Sequence, residues 1–115
     1  MKSANILACI ESGGGDFATL AREITLGHLV VPVSAVRDEG TSYHYAPPSR
    51  EIQPHADAVD AIETALKRDG VPYVTGKTWT TDALYRETRA RIARRREEGC
   101  LTVEMEAAAF FAVAR

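Results

Sequence analysis

The stretch Leu101–Arg115, LTVEMEAAAFFAVAR, decides the reading of this chain. A short β-type run, Leu101-Thr102-Val103, passes through Glu104-Met105-Glu106 into an almost uncharged helical run of Ala, Phe and Val. Two carboxylates at the edge of an apolar helix are costly unless something pairs with them. Charge compensation of the helix N-terminus accounts for one glutamate. It accounts less well for two that flank a methionine on so apolar a segment. In a continuous helix, residues two apart point roughly 200° away from each other. In a strand-to-helix turn they can converge on one polar ligand, which makes this turn a candidate binding site.

Working outward, Ala83 to Glu98 reads as a helix ending at Gly99, with Leu84, Thr88 and Ile92 as a thin inward stripe. Its basic set, Arg89, Arg91, Arg94, Arg95 and Arg96, is interrupted by Glu87, Glu97 and Glu98, and is expected to be a solvated face rather than a nucleic-acid surface. Trp79 to Asp82 reads as a polar turn after a strand, Tyr73 to Thr78. Pro54 to Gly70 is the clearest helix, with Val59, Ile62 and Leu66 on one face, Lys67 and Arg68 near its C-terminal end, and Gly70 and Pro72 to stop it. Leu29 to Val36 is a β-branched strand in which Pro32 marks an edge, a bulge or an end. A long polar loop follows, Arg37 to Pro48, with His44 between two tyrosines as a surface or interface contact. Towards the N-terminus, Asn5–Ile10 suits a buried strand feeding the Ser12-Gly13-Gly14-Gly15 turn, and Phe17–Ile24 a short helix. Strands alternating with helices at this spacing imply one layered α/β domain with a mostly parallel or mixed sheet.

With 115 residues, 45% hydrophobic and 26% charged, the chain is long enough for one domain of modest core. The net charge of −2 argues against nucleic acid or an anionic membrane as partner. Cys9 and Cys100 stand far apart, with no histidine at metal-ligand spacing, so two reduced, buried thiols and no metal site are expected. No run approaches the ~20 apolar residues of a membrane span, and the expected location is cytoplasmic. The helical pattern stops at Arg115 without a terminator and the chain opens almost on an apolar run, so both ends read as cut.

Val103-Glu104-Met105-Glu106-Ala107-Ala108-Ala109 closely resembles the V-E-M-E-x-A-A signature of the nucleoside phosphorylase superfamily, which includes uridine phosphorylases, hexameric-type purine nucleoside phosphorylases and related nucleosidases. Gly76–Tyr85 (GKTWTTDALY) is similar to that family's strand followed by S/T-D-x-x-Y, and Arg37–Ser42 (RDEGTS) to its A-x-R-D-E-G-T-S loop. The resemblance runs from about Ile6 to Arg115 and spans the middle half of a family member. It implies a phosphorylase-like, truncated three-layer α/β/α fold with a mixed sheet. The implied activity is phosphorolysis of a nucleoside to free base and ribose 1-phosphate, with inorganic phosphate as co-substrate, no cofactor and no metal.

Carried over by residue, the resemblance makes Glu106 the catalytic acceptor of the ribose hydroxyls, at a cavity sized for a pentose, with Met105 against the sugar and Glu104 near the 2′-hydroxyl. Ser12 takes phosphate, Gly13 and Gly14 lie beside the base, and Trp79, Thr80, Leu84 and Tyr85 frame the base pocket. A homo-oligomer is implied as well. The family's R-x-G-[ST]-x-G-G frame here reads Cys9-Ile10-Glu11-Ser12-Gly13-Gly14-Gly15, with a cysteine for the arginine and a glutamate for a glycine. That departure motivates one alternative, a nucleoside-binding protein that keeps the ribose site without catalysis. A further alternative is a nucleosidase, which differs from the phosphorylase only in using water as acceptor.

Overall fold

A computed structural model describes residues 8, 9, 20, 21, 24 and 28–115 of the chain. Its centre is a mixed five-stranded sheet made of β1 (Ala8–Cys9), β2 (Leu29–Asp38), β3 (Glu51–Ile52), β4 (Tyr73–Thr81) and β5 (Cys100–Glu104). The path is β1-β2-β4-β5, with β3 also paired to β2. β2, β4 and β5 are parallel, whereas β1 and β3 run antiparallel to β2. The helices are α1 (Ala56–Arg68), α2 (Arg89–Glu97) and α3 (Ala107–Val113).

The side-chain alternation of β2 separates two cores. Ala35 packs with Ala46, Ile52, Ala107, Ala108, Phe111 and Ala112 on one face. Its neighbour Val36 packs with Leu20, Trp79 and Cys100 on the other, against Ile92 of α2 and Val103. α1 joins α3 on the first face, where Val59 and Ile62 border a groove shared with Val31, Pro32 and Phe111. Helices therefore cover both faces of a mixed sheet, as the resemblance implies. α1 and α2 each end at a glycine with positive φ, Gly70 and Gly99, which an L side chain adopts only with strain.

Pro32 marks a bulge. Pro32 lies opposite Gly76 and Ser34 opposite Lys77, so Val33 is the extra residue in β2. A second irregularity sits between β4 and β5, where Lys77 pairs with Cys100 and Thr78 with Thr102, leaving Leu101 unmatched. Leu101 leans over Gly76, whose missing Cβ would lie 2.2 Å from the leucine Cδ1.

Four sequence expectations are corrected. Trp79 to Thr81 continue β4 rather than turning, because three large β-formers in a row are wholly buried. The helix expected from Ala83 starts only at Arg89. Thr88 accepts from the Arg91 amide at 3.4 Å and so caps it there, while Leu84–Arg86 forms a separate 3₁₀ turn. Leu84 and Thr88 are exposed, leaving Ile92 and Arg95 as the inward residues of α2. The polar loop begins later than expected, since Arg37 and Asp38 complete β2 and Thr41–His44 make a 3₁₀ turn. His44 is exposed, and Cys100 is buried with a free thiol. The short helix expected over 17–24 lies largely outside the described residues, as do most of the strand expected over 5–10 and the side chain of Cys9.

Candidate functional site

The three parallel strands end together, β2 at Asp38, β4 at Thr81 and β5 at Glu104. In open α/β sheets, ligands bind just beyond such carboxyl ends. The ends are laced together. The Gly40 amide donates to Asp82 Oδ2 at 3.1 Å, joining the segment after β2 to the one after β4.

Period-two alternation in β4 sends Thr78 and Thr80 to one face and Trp79 to the other. The threonines meet Glu104. Its Oε1 accepts from Thr80 Oγ1 at 2.6 Å and from Thr78 Oγ1 at 3.2 Å. Its Oε2 accepts from the backbone N–H groups of Glu106 at 2.7 Å and Ala107 at 2.6 Å. The last two amides open α3 and have no intrahelical acceptor, so Glu104 caps the helix from the strand side. An ionised carboxylate offers about four acceptor positions, and here protein donors fill all of them. Thr80 also accepts from the Ala108 amide at 3.1 Å, and Thr102 donates to Thr78 at 3.0 Å.

Glu106 behaves differently. It is the N-cap residue of α3, with φ −134° and ψ −34°, yet its side chain makes no capping bond. The carboxylate is exposed and has no hydrogen-bond or ion-pair partner among the described residues. The two glutamates thus do not share a partner: Glu104 turns inward to β4, whereas Glu106 is exposed. Met105, between them, is half exposed.

The residues expected to frame a base divide in two. Trp79 and Thr80 are 0% exposed and lie beneath the surface. The Trp79 ring packs in the α2-side core and its indole N–H donates to Asp38 Oδ2 at 3.0 Å. Leu84 and Tyr85, in the 3₁₀ turn past the end of β4, are open, Tyr85 at 97% exposure. Ser12, Gly13 and Gly14 lie outside the described residues, as does the glycine bend expected beside Glu106.

Two buried networks that the sequence does not advertise support this end of the sheet. Arg37 donates from Nε to Ser42 Oγ at 2.8 Å and from Nη1 to Pro47 O and Ser49 Oγ, and stacks over the Tyr43 ring at 4.0 Å. Ser42 in turn donates its hydroxyl to Glu39, which also receives the Ser42 amide at 2.9 Å, so one serine joins the two buried charges. On the other face, Arg95 departs from the solvated stripe expected of its helix. It is 6% exposed and bonds Asp38 Oδ2 at 3.2 Å and Glu98 Oε2 at 2.9 Å, with its guanidinium 5.1 Å from the Trp79 ring centre. Arg89, Arg91, Arg94 and Arg96 are exposed as expected. The threonine alternation in β4 was the one available sign of the Glu104 network. Among the described residues no cluster of histidine, cysteine or acidic side chains forms a metal site.

Comparison with known proteins bears on the fold and the family. A guanosine phosphorylase from Halorubrum lacusprofundi is 30% identical over 101 residues, 88% of this chain and 42% of the relative. The crystal structure of an AMP nucleosidase from Bacteroides thetaiotaomicron superposes with a TM-score of 0.75 at 30% identity, over 84% of this chain and 42% of that one. A uridine phosphorylase from Vibrio fischeri gives 0.74 at 28% identity, over 85% and 41%. The chain therefore spans about two-fifths of the length of these relatives. Residues 19–115 match the Phosphorylase superfamily, and the chain belongs to that family.

Proposed function

We propose that this chain is part of an N-glycosyl transferase that phosphorolyses a nucleoside to free base and ribose 1-phosphate. The observation that carries the proposal is the unpartnered, exposed carboxylate of Glu106 at the carboxyl ends of the parallel strands. A carboxylate with both oxygens free suits a vicinal diol, accepting from the ribose 2′- and 3′-hydroxyls. In the reaction a phosphate oxygen attacks C1′ as the N-glycosidic bond breaks. The bonding pair leaves with the base, which takes up a proton. Positive charge grows on the sugar, and a carboxylate on its hydroxyls stabilises that transition state more than the ground state.

In this reading Met105 packs against the sugar and Leu84 and Tyr85 frame the base from the 3₁₀ turn, while Trp79 and Thr80, wholly buried on opposite faces of β4, support the strand end without touching the base. Ser12 takes phosphate and Gly13 and Gly14 flank the base. No cofactor is needed, and the working form is a cytoplasmic homo-oligomer. Glu106→Ala should lower kcat/KM for nucleosides by roughly 10²–10⁴-fold, the loss of two hydrogen bonds to a charged acceptor. Its circular dichroism and melting temperature should match the parent. A variant that handles nucleosides as well as the parent would remove Glu106 from the site.

Hydrolysis is the second reading, favoured by the AMP nucleosidase likeness and by Cys9 and Glu11, which replace the arginine and a glycine of the family's phosphate frame. Free ribose rather than ribose 1-phosphate among the products selects it. Phosphate-independent nucleoside binding in calorimetry, with no base released, selects a binding protein instead.

A further inference from the structure

The two glutamates of the β5–α3 turn are chemically identical, two residues apart, and unequal in what they have left to offer. Every acceptor position of Glu104 is taken by a protein donor, and three of the four donors are buried: Thr78 and Thr80 are 1% and 0% exposed and Ala107 is buried, whereas the Glu106 amide is exposed. A sugar hydroxyl could bond Glu104 only by displacing one of these donors, and a displaced buried donor would be left unpaired. The donors are themselves ordered. Thr102 donates to Thr78, which donates on to Glu104, and the Ala108 amide fixes the Thr80 hydroxyl so that its proton faces the carboxylate. The result is a brace from β4 through Glu104 to the first amides of α3, and one of those amides is that of Glu106 itself.

We propose that Glu104 is a positioning residue, held by Thr78 and Thr80, that fixes the direction in which Glu106 presents its carboxylate, and that it makes no contact with the sugar. The proposal rests on the reading of Glu106 as the diol acceptor. It has a consequence that direct sugar binding lacks. A residue touching the 2′-hydroxyl matters only when that hydroxyl exists, whereas a brace matters for any sugar.

The experiment compares a ribonucleoside with its 2′-deoxy counterpart in the parent, Glu104→Gln, Thr80→Val, Thr80→Ser and Glu106→Gln. Glu104→Gln places an amide donor against donors, and Thr80→Val removes the hydroxyl at nearly constant shape. Both should lose kcat/KM by a similar factor, roughly tenfold or more, on both sugars. Thr80→Ser should restore most of it. Glu106→Gln should lose more on the ribonucleoside. A Glu104→Gln defect that appears with the ribonucleoside and vanishes with the 2′-deoxynucleoside overturns the proposal. Amide hydrogen exchange decides the same point without turnover: protection at Glu106, Ala107 and Ala108 should fall roughly tenfold in Glu104→Gln and Thr80→Val, the equivalent of one hydrogen bond. Unchanged protection at those amides also overturns it. If the parent turns over no nucleoside, the role given to Glu106 fails, and the exchange data still decide whether Glu104 braces the turn.

Discussion

At the residue scale, two buried groups lend themselves to direct measurement. Arg95 joins Asp38 to Glu98 beneath Trp79. Arg95→Leu removes the guanidinium from two carboxylates and should lower stability by about 1.5–3 kcal/mol in urea melts. Activity at saturating substrate should change much less, because the network lies on the α2 face of the sheet. Burial pushes the Cys100 thiol up from 9.0 to about 11. The raised value means that the folded chain holds the proton more tightly than the unfolded one. Stability from the neutral thiol is therefore complete below pH 9.0 and lost as pH rises toward about 11. Alkylation of Cys100 in the native protein, followed by mass spectrometry, should be slower than in the unfolded chain by on the order of 100-fold or more. The apolar setting of the two glutamates was legible from LTVEMEAAAF alone. Their division of labour was not, because it depends on Thr78 and Thr80, which reach Glu104 only once β4 lies beside β5. Arg95 was misread for a similar reason: in a helix crowded with arginines, the one that turns inward is chosen by an aspartate far away in the chain.

At the scale of elements, the errors of sequence reading gather where polar β-branched residues sit inside. Threonine runs such as Thr80-Thr81 look like turns when judged by polarity, yet the Thr80 hydroxyl donates to Glu104 of the next strand, the Thr81 hydroxyl accepts from the Ala83 amide just past β4, and their branched shape suits a pleat. Start and stop residues fared better. Gly70 and Gly99 end their helices as expected, and the misplaced start of α2 is explained by the single cap at Thr88. Among the described glycines, Gly76 beneath Leu101 leaves the least room for a side chain. Gly76→Ala drives a methyl group into the leucine and should cost about 1–3 kcal/mol through overpacking. Pairing it with Leu101→Ala should recover part of that loss, a coupling that a double-mutant cycle in urea would measure.

For the whole molecule, one layered α/β domain with a mixed sheet was legible from the alternation of strands and helices, and helices on both faces from the family resemblance. The antiparallel addition of β3 was not, since two residues carry no periodicity. That short strand is tied across the sheet by charge. Glu51 accepts from Lys77 of β4 at 2.6 Å and from Ser34 of β2 at 2.9 Å. The Lys77 bond, more than any other influence, holds the Glu51 carboxyl below its ordinary 4.5. A depressed carboxylate contributes stability above that value and loses it as pH falls through and below it. Acid titration of the urea midpoint should therefore fall more steeply below pH 4.5 in the parent than in Lys77→Met, in which the shift has lost its main cause.

The parallel pairing of β2 with β4, Leu29 opposite Tyr73 through Asp38 opposite Thr81, has a kinetic consequence. These partners are distant along the chain and meet only after the intervening helix has been carried across the sheet. Such nonlocal closure makes refolding slower than that of helical bundles rich in local contacts. The carboxylate at position 106 takes up its final direction only when β5 has in turn closed onto β4, so recovery of nucleoside handling after dilution from denaturant should lag behind the return of helical signal.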